Sequence, residues 1–476
     1  MKKNIKTTLI ALFALLPLGM QAQQSVDFSE YEGTQIPNSD FETWGTEYEN
    51  VPVGWHSFES VELGSPSWMF SSAQSDKHTS CFDEDLHEGT LGKYCLKLVP
   101  RNVLNLALAN GTITTGRMHA GSTTASSTSN HAQMDMSVTE TSNGTPYYAE
   151  LSEKPDYIAA WLKFISNDSE NPYATISAII TDGTYYQDPE NKEYTNVYAK
   201  AKNAGIVSNG GKWQRIVVPF TIQNGGITPK GILVTISTNA TPGKGNENDV
   251  LYVDDLELIY TQQVTIPESG YFMMTNVAMK NHNVVIPEGI TAYTLEANSE
   301  GQPKVKEVYS AGQVLPYEGA VLLEGKPGEH TFSTTLYETE EDIVAEGDLC
   351  VVKSTELNTP TEDYKFFRLT TQNGQLGFYP ATYGLKIQES EALLRVTADK
   401  AAESYQHILF TPEPKGDIND DGQQSIADIT ALVNRLLGKQ EQSSKLFVPS
   451  ADVNGDDATT ISDVTALVNI LLGKGN

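Results

Sequence analysis

The chain has 476 residues, with 61 aspartates and glutamates against 32 lysines and arginines and a formal net charge of −29. A surface of that sign repels nucleic-acid phosphates, so nucleic acid is not an expected partner; cations and neutral ligands are favoured. At roughly 100 to 200 residues per domain the length allows about three domains, each able to bury its own core.

The first residues carry Lys2, Lys3 and Lys6, then an apolar run from Leu9 to Leu18, then small residues ending at Ala22. That is the layout of a secretory signal peptide over residues 1–22. The run is shorter than the roughly 20 residues of a spanning helix, and no later segment is apolar enough to span either. The mature chain is therefore expected to be soluble and exported. It would be secreted, or held in the periplasm or at the cell surface of a Gram-negative bacterium. In that oxidising setting Cys81 and Cys95 are close enough in sequence to pair, or are both reduced and buried; Cys350, in GDLCVVKS, reads as a core thiol.

From about residue 33 to 412 short alternating apolar runs are separated by Gly, Asn, Asp and Pro clusters, which predicts a mostly β protein. All five tryptophans (Trp44, Trp55, Trp68, Trp161 and Trp213) precede residue 262, and the change in character places a boundary near TQQVTIPESG. The first block opens with IPNSDFETW and VPVGWHSF and closes with VLYVDDLELIY. In that closing strand Leu251 and Val253 alternate on one face, and Leu256 and Leu258 resume one residue out of step. A bulge at Asp254 and Asp255 is the reading that restores the pattern. With KPDYIAAWLKF and KWQRIVVPF as middle strands, residues 33–261 resemble the jelly-roll sandwich of carbohydrate-binding modules. More narrowly, they resemble the carbohydrate metabolism domain of gut bacteria of the Bacteroides type. The resemblance implies glycan or polysaccharide as partner and a structural calcium held by acidic residues of the opening and closing strands, here Asp40, Glu42 and Asp255. On the residues alone, Asp254 and Asp255 equally serve to satisfy turn amides. Trp55 and Trp68 are candidate stacking platforms for sugar, with Tyr147, Tyr148, Tyr185 and Tyr186 as rivals, whereas Trp161 in an alternating strand reads as core. The Ser/Thr-rich stretch near 104 to 136 reads as a loop between strands, by the resemblance near the functional face. Residues 265–412 form a second all-β block, with hairpin signals at EANSEGQPKV and TTQNGQLGFY.

The tail carries one unit twice. Counted from Asp417, the loop places Asp417, Asn419, Asp421, Gln423, Ser425 and Asp428 at positions one, three, five, seven, nine and twelve of a twelve-residue calcium loop. Gln423 would contribute its carbonyl, and Gly422 makes the turn at six. The second copy offers Asp452, Asn454, Asp456, Ala458 by its carbonyl, Thr460 and Asp463. Calcium takes six to eight hard oxygen donors, and this spacing wraps them round one point. Each loop enters a helix with an apolar stripe: Ile429, Leu432, Val433, Leu436 and Leu437, then Val464, Leu467, Val468, Leu471 and Leu472. One such unit cannot bury its stripe alone, so the pair is expected to fold as a two-helix module that depends on metal.

Residues 415–474 resemble the type I dockerin, a duplicated calcium-binding module that docks enzymes onto cohesin domains. Asp457 departs from the pattern by replacing the turn glycine, and positions eight, Gln424 and Thr459, are not apolar. The resemblance implies a cohesin-like protein partner. It assigns partner selection to positions ten and eleven, here Ile426 with Ala427 and Ile461 with Ser462, on two near-equivalent rotated faces.

For catalysis the sequence offers no HExxH-like pair, no GxSxG elbow, no P-loop and no dinucleotide fingerprint, and its histidines are scattered. The expected protein is thus a secreted, non-catalytic glycan binder with a calcium-dependent docking tail. A polysaccharide-degrading glycoside hydrolase with an acid pair in the first sandwich, or a structural and adhesive surface protein, are the alternatives.

Overall fold

The computed structural model describes residues 26–45, 48–103, 107–139, 144–275, 282–316, 319–337, 349–350, 363–381, 391–410, 415–439 and 446–474. The expected signal peptide and the side chain of Cys350 lie outside them, and no helix among them is long and apolar enough to cross a membrane. Contacts divide the chain into two compact units that part between Thr261 and Gln262, with Thr335–Tyr337 belonging to the first.

The first unit is a β-sandwich. A five-stranded sheet runs in the order Gln214–Pro219, Tyr157–Ile165, Val250–Ile259, Cys95–Leu98, Thr79–Phe82. A six-stranded sheet is built on Val197–Ile206, Ala174–Thr181, Gly231–Ser237 and Thr112–Thr114, with Thr221–Ile222 at its edge and Ala149–Glu150 paired to Gly231–Ser237. Alternate residues of the two sheets, among them Leu162, Phe164, Ile176, Ile180, Leu251 and Val253, fill the core between them. Asn38 joins the opening motifs: its side chain bonds both the amide and the carbonyl of Thr43 and the carbonyl of Val53. This brings Phe41 and Trp55 together in the core with ring centroids 5.3 Å apart.

The closing strand carries the bulge that its out-of-step pattern requires. Trp161 lies opposite Asp254 and Ala159 opposite Glu257, so the closing strand has one residue more than its partner, and Asp255 takes the left-handed φ of 41°. The slip lets Leu256 and Leu258 return to the core that Leu251 and Val253 entered. A smaller sheet, Glu62–Leu63, Arg117–Ala120, Asn130–Met134 and Tyr186–Asp188, covers the outer face of the six-stranded sheet through Ala132, Met134 and Tyr186 against Ile179, Val197 and Leu233. Much of the stretch read as a loop near 104 to 136 is therefore strand.

The Cys81–Cys95 pairing is not present. Cys81 pairs with Leu96 and Phe82 with Cys95, so side chains of the two cysteines leave opposite faces of their hairpin; both are free, Cys81 exposed and Cys95 buried.

Among the described residues the second unit holds three sheets. The larger runs Tyr271–Thr275, Ala320–Gly325, Ile290–Ala297, Pro303–Tyr309, Ile408–Phe410, Phe447–Pro449. Both hairpin signals are realised: Ala297 pairs with Pro303 around one turn, and Gln372 pairs with Gln375 around Asn373 and Gly374, both at positive φ. The last strand of that sheet, Phe447–Pro449, comes from the segment between the two tail repeats and pairs in parallel with Ile408–Phe410. The tail is thus built onto the second β block in one compact unit.

A buried histidine in the first unit fixes an acid limit. His78 is wholly buried, its ring stacks on Phe58 at 4.3 Å, and neither ring nitrogen has a hydrogen-bond partner. Burial, with Arg101 nearby, pushes its pKa down from 6.5 to about 3. The unfolded chain takes up a proton below about 6.5 that the folded chain refuses, so stability is full above that pH and falls as pH drops towards 3. At pH 5 the loss is about 2 kcal/mol. His78→Leu is expected to remove that part of the pH dependence, read by urea denaturation at pH 7 and pH 5. An unchanged difference between the two pH values would contradict it.

Candidate functional site

The two tail loops have the same hydrogen-bond plan. Asp428, wholly buried at the start of the helix Ile426–Leu436, accepts from the amides of Ile418 and Asn419 on Oδ1 and from Ser425 on Oδ2. Asp463, at the start of Ile461–Leu471, does the same with Val453, Asn454 and Thr460. Each aspartate also closes a capping box, with Ser425 or Thr460 as the N-cap. Asp417 receives the amides of Asp421 and Gly422, and Asp452 those of Gly455, Asp456 and Asp457. The chain therefore wraps round the carboxylates at positions one, five and twelve and the asparagine at position three. Both loops need left-handed backbone at positions four and six. The first uses Asp420 (φ 61°) and Gly422 (80°), the second Gly455 (79°) and Asp457 (64°). The missing turn glycine is thus exchanged within the loop, and aspartate tolerates the conformation.

The donor set is all oxygen: carboxylates of Asp417, Asp421 and Asp428, the Asn419 amide, the Gln423 carbonyl and the Ser425 hydroxyl, with the matching set in the second loop. A carboxylate oxygen offers two lone-pair directions. A loop amide on one leaves the other for a cation, and such a set suits a hard ion that takes many oxygens.

The helices bury only part of their stripes. Leu432 and Leu467 are fully buried with Ile418, Ala451, Val453 and Ala466. Ile426 and Leu437 are 77% and 60% exposed, and their counterparts Ile461 and Leu472 are 71% and 61% exposed. Eleven residues at 3.6 per turn is about three turns, so each pair stands on one face of its helix at opposite ends. Leu437 and Leu472, expected in the buried stripe, are on the outer face instead. Ala427 and Ser462 are exposed beside the two isoleucines. Asp457 is also an anchor: its carboxylate pairs with Lys304 and its carbonyl accepts from Ser299 Oγ at 2.9 Å, both residues of the second β block.

In the first unit the two tryptophans separate. Trp55 is 2% exposed in the sandwich core, with Nε1 donating to the Asn38 carbonyl, so it offers no face to a sugar. Tyr147 and Tyr186 are buried as well. Trp68 is 74% exposed, on a single turn of 3-10 helix at Ser67–Met69. Phe70, two residues on, packs with Met118 and Ala120 of the small sheet. The other face of that sheet carries Arg117, His119, His131 and Gln133. Arg117 pairs with Glu62 at 3.2 Å, and the two histidine rings stack at 5.0 Å. The hydroxyl of the half-buried Tyr185 lies 3.0 Å from both Gln133 Oε1 and Gln187 Oε1, which share its one hydrogen. Trp161 is half-buried on the outer face of the five-stranded sheet and not in the core.

Asp40 and Glu42 each feel the charge of Asp255, but the tightest cluster is a different one. Among the described residues, the group of three whose ligand atoms all lie within 4.8 Å of one another is His87, Asp254 and Asp255. Asp40 is turned to the Val26 amide, and Glu42 to the amides of Lys93 and Tyr94. Burial raises the pKa of Asp40 to about 6, with the charge of Asp255 adding to it, and raises that of Glu42. Asp254 is pushed well above the ordinary carboxylate range, first by burial and then by Asp255. His87 escaped notice in the sequence because it stands 168 residues from Asp255 in no spaced motif.

Residues 415–472 match the family model of the dockerin type I domain, and that segment is a dockerin type I domain. A comparison with curated proteins finds no match. Among solved structures, a candidate glycoside hydrolase from Bacteroides thetaiotaomicron is 14% identical with a TM-score of 0.33, over 48% of this chain and 71% of that one. The K1 cleaved adhesin domain of Lys-gingipain from Porphyromonas gingivalis is 11% identical with a TM-score of 0.23, over 48% and 98%. The N-terminal CBM22-1-CBM22-2 tandem domain of Paenibacillus barcinonensis Xyn10C is 10% identical with a TM-score of 0.22, over 68% and 94%. TM-scores of this size carry no weight for function.

Proposed function

We propose that this is an exported, non-catalytic glycan-binding protein whose dockerin type I domain, folded around two calcium ions, tethers it to a cohesin-like partner. The observation that carries the tether is the duplicated outer face, Ile426 with Leu437 and Ile461 with Leu472. Four large apolar side chains, each 60% or more exposed, sit at matching positions of two helices whose other faces are buried against each other. Apolar anchors of this kind, set in a rim of small polar residues, are what a protein partner desolvates. The loops supply rigidity: Asp417, Asn419, Asp421, Gln423, Ser425 and Asp428 would hold one ion, and Asp452, Asn454, Asp456, Ala458, Thr460 and Asp463 the other. Neutralised carboxylates at the helix starts keep Ile426, Ala427, Ile461 and Ser462 in place.

Two equivalent faces make a specific expectation against a panel of type I cohesin modules, measured by calorimetry in calcium. Ile426→Arg with Leu437→Arg leaves docking intact through the second repeat, and Ile461→Arg with Leu472→Arg leaves it intact through the first. All four together lower affinity by at least about 30-fold, the loss expected when a hot spot worth about 2 kcal/mol is removed. Full binding by the fourfold variant would overturn the assignment.

The glycan reading rests on Trp68, an indole 74% exposed on the turn that leads to Phe70 and the small sheet. A solvent-facing aromatic ring is the element that receives the apolar face of a neutral sugar ring. Trp68→Ala is expected to abolish retention on a glycan array while leaving the thermal transition unchanged. Retention equal to that of the parent protein would remove Trp68 from the site, and absence of any retained glycan with the parent protein would remove the glycan reading.

A further inference from the structure

His87 lies in the segment between the strands Thr79–Phe82 and Cys95–Leu98, and its ring is roofed by Trp161, stacked at 4.5 Å and 10°, with Trp213 edge-on at 5.6 Å. Its Nδ1 is 2.9 Å from the Glu88 carbonyl, an acceptor only, so Nδ1 carries the hydrogen. In the neutral ring Nε2 is then a bare lone pair. It points at two carboxylates, 2.8 Å from Asp255 Oδ2 and 3.7 Å from Asp254 Oδ2, with all three side chains 1% exposed or less. Acceptors face one another in a dry site only with a proton or a metal ion between them.

We propose that His87, Asp254 and Asp255 form a buried site for one divalent first-row transition ion, with zinc as its representative, which clamps the 83–92 segment onto the outer face of the five-stranded sheet. Three observations support this over a purely structural contact. The separations suit ligands on one ion: at about 2.1 Å from each donor, 2.8 and 3.7 Å subtend roughly 85° and 125°. The second nitrogen of the ring is fixed by a backbone carbonyl, the arrangement that sets a metal-binding imidazole in the correct tautomer. Asp255 Oδ1 is buried without a hydrogen-bond partner on a residue held at left-handed φ, while Thr90 Oγ1 and the Leu91 amide, from the same segment, support Asp254 and Asp255 at 3.0 and 2.9 Å. One imidazole nitrogen and two carboxylates in a closed aromatic pocket supply too few oxygens for calcium, which needs six to eight. The site is therefore distinct in chemistry from the tail loops. The ion replaces any proton shared between His87 and Asp255, so uptake releases up to about one proton.

The test uses the full chain, stripped with chelator, then given zinc in the presence of excess calcium so that the oxygen-rich tail loops are already filled. After desalting, the parent protein and an Asp417→Ala/Asp452→Ala variant are expected to retain about one zinc per chain. His87→Gln and Asp254→Asn are expected to retain at least about tenfold less. Zinc retained equally by His87→Gln, or not retained by the parent protein, overturns the proposal in favour of a proton between His87 and Asp255. If the variants do not fold, anomalous diffraction at the zinc edge on the parent protein decides. A peak within about 2.3 Å of His87 Nε2 is expected; zinc found only elsewhere overturns the assignment.

Discussion

Each tail loop crowds four carboxylates into twelve residues, Asp417, Asp420, Asp421 and Asp428 in the first and Asp452, Asp456, Asp457 and Asp463 in the second. Asp428 and Asp463 are wholly out of water, and Asp417 nearly so. Loop amides use part of their hydrogen-bonding capacity but do not neutralise them, and like charges at this spacing oppose the wrapped loop unless a cation joins them. The remaining features of the tail follow from holding that loop closed. Asp428 and Asp463 start the helices, the helices bring Leu432 and Leu467 into contact, and the outer residues Ile426, Leu437, Ile461 and Leu472 are then presented at fixed positions.

The core that results is small, six buried side chains with four partly buried neighbours among the described residues, and such a core is marginal by itself. The structure adds a second support through the Phe447–Pro449 strand, the Lys304–Asp457 pair and the Ser299–Asp457 bond. The second β block thereby acquires a physical role as the base on which the docking domain stands. It also gives Asp457 a reason to replace glycine, because its side chain makes the anchoring ion pair.

How much of this was legible in the sequence depended on how local the cause was. The loop spacing, the two hairpins and the bulge at Asp254 and Asp255 are written within a dozen residues, and each was readable from periodicity or turn chemistry. Trp55 and Trp68 could not be told apart because burial depends on what folds over a residue: Asn38 ties the segment before Trp55 into the core, whereas the single helical turn at Trp68 stands clear. Cys81 and Cys95 misled because closeness along the chain says nothing about faces, which the pairing of Phe82 with Cys95 decides. The strand Phe447–Pro449 was masked by its position between two strong repeats. His87 gave no signal because its partners come from the far end of the sandwich. Resemblance to related sandwiches directed attention to Asp40 and Glu42, which also accept neighbouring amides.

Hydrogen exchange on the full chain, with calcium and after exhaustive removal by a calcium-selective chelator, tests the central claim most directly. The account predicts that amides of Ile426–Leu436 and Ile461–Leu471 lose protection by about 100-fold or more without calcium, while Ala174–Thr181 in the sandwich is unaffected. Equal protection of both helices in the two conditions would contradict it, because the loops would then close without a cation.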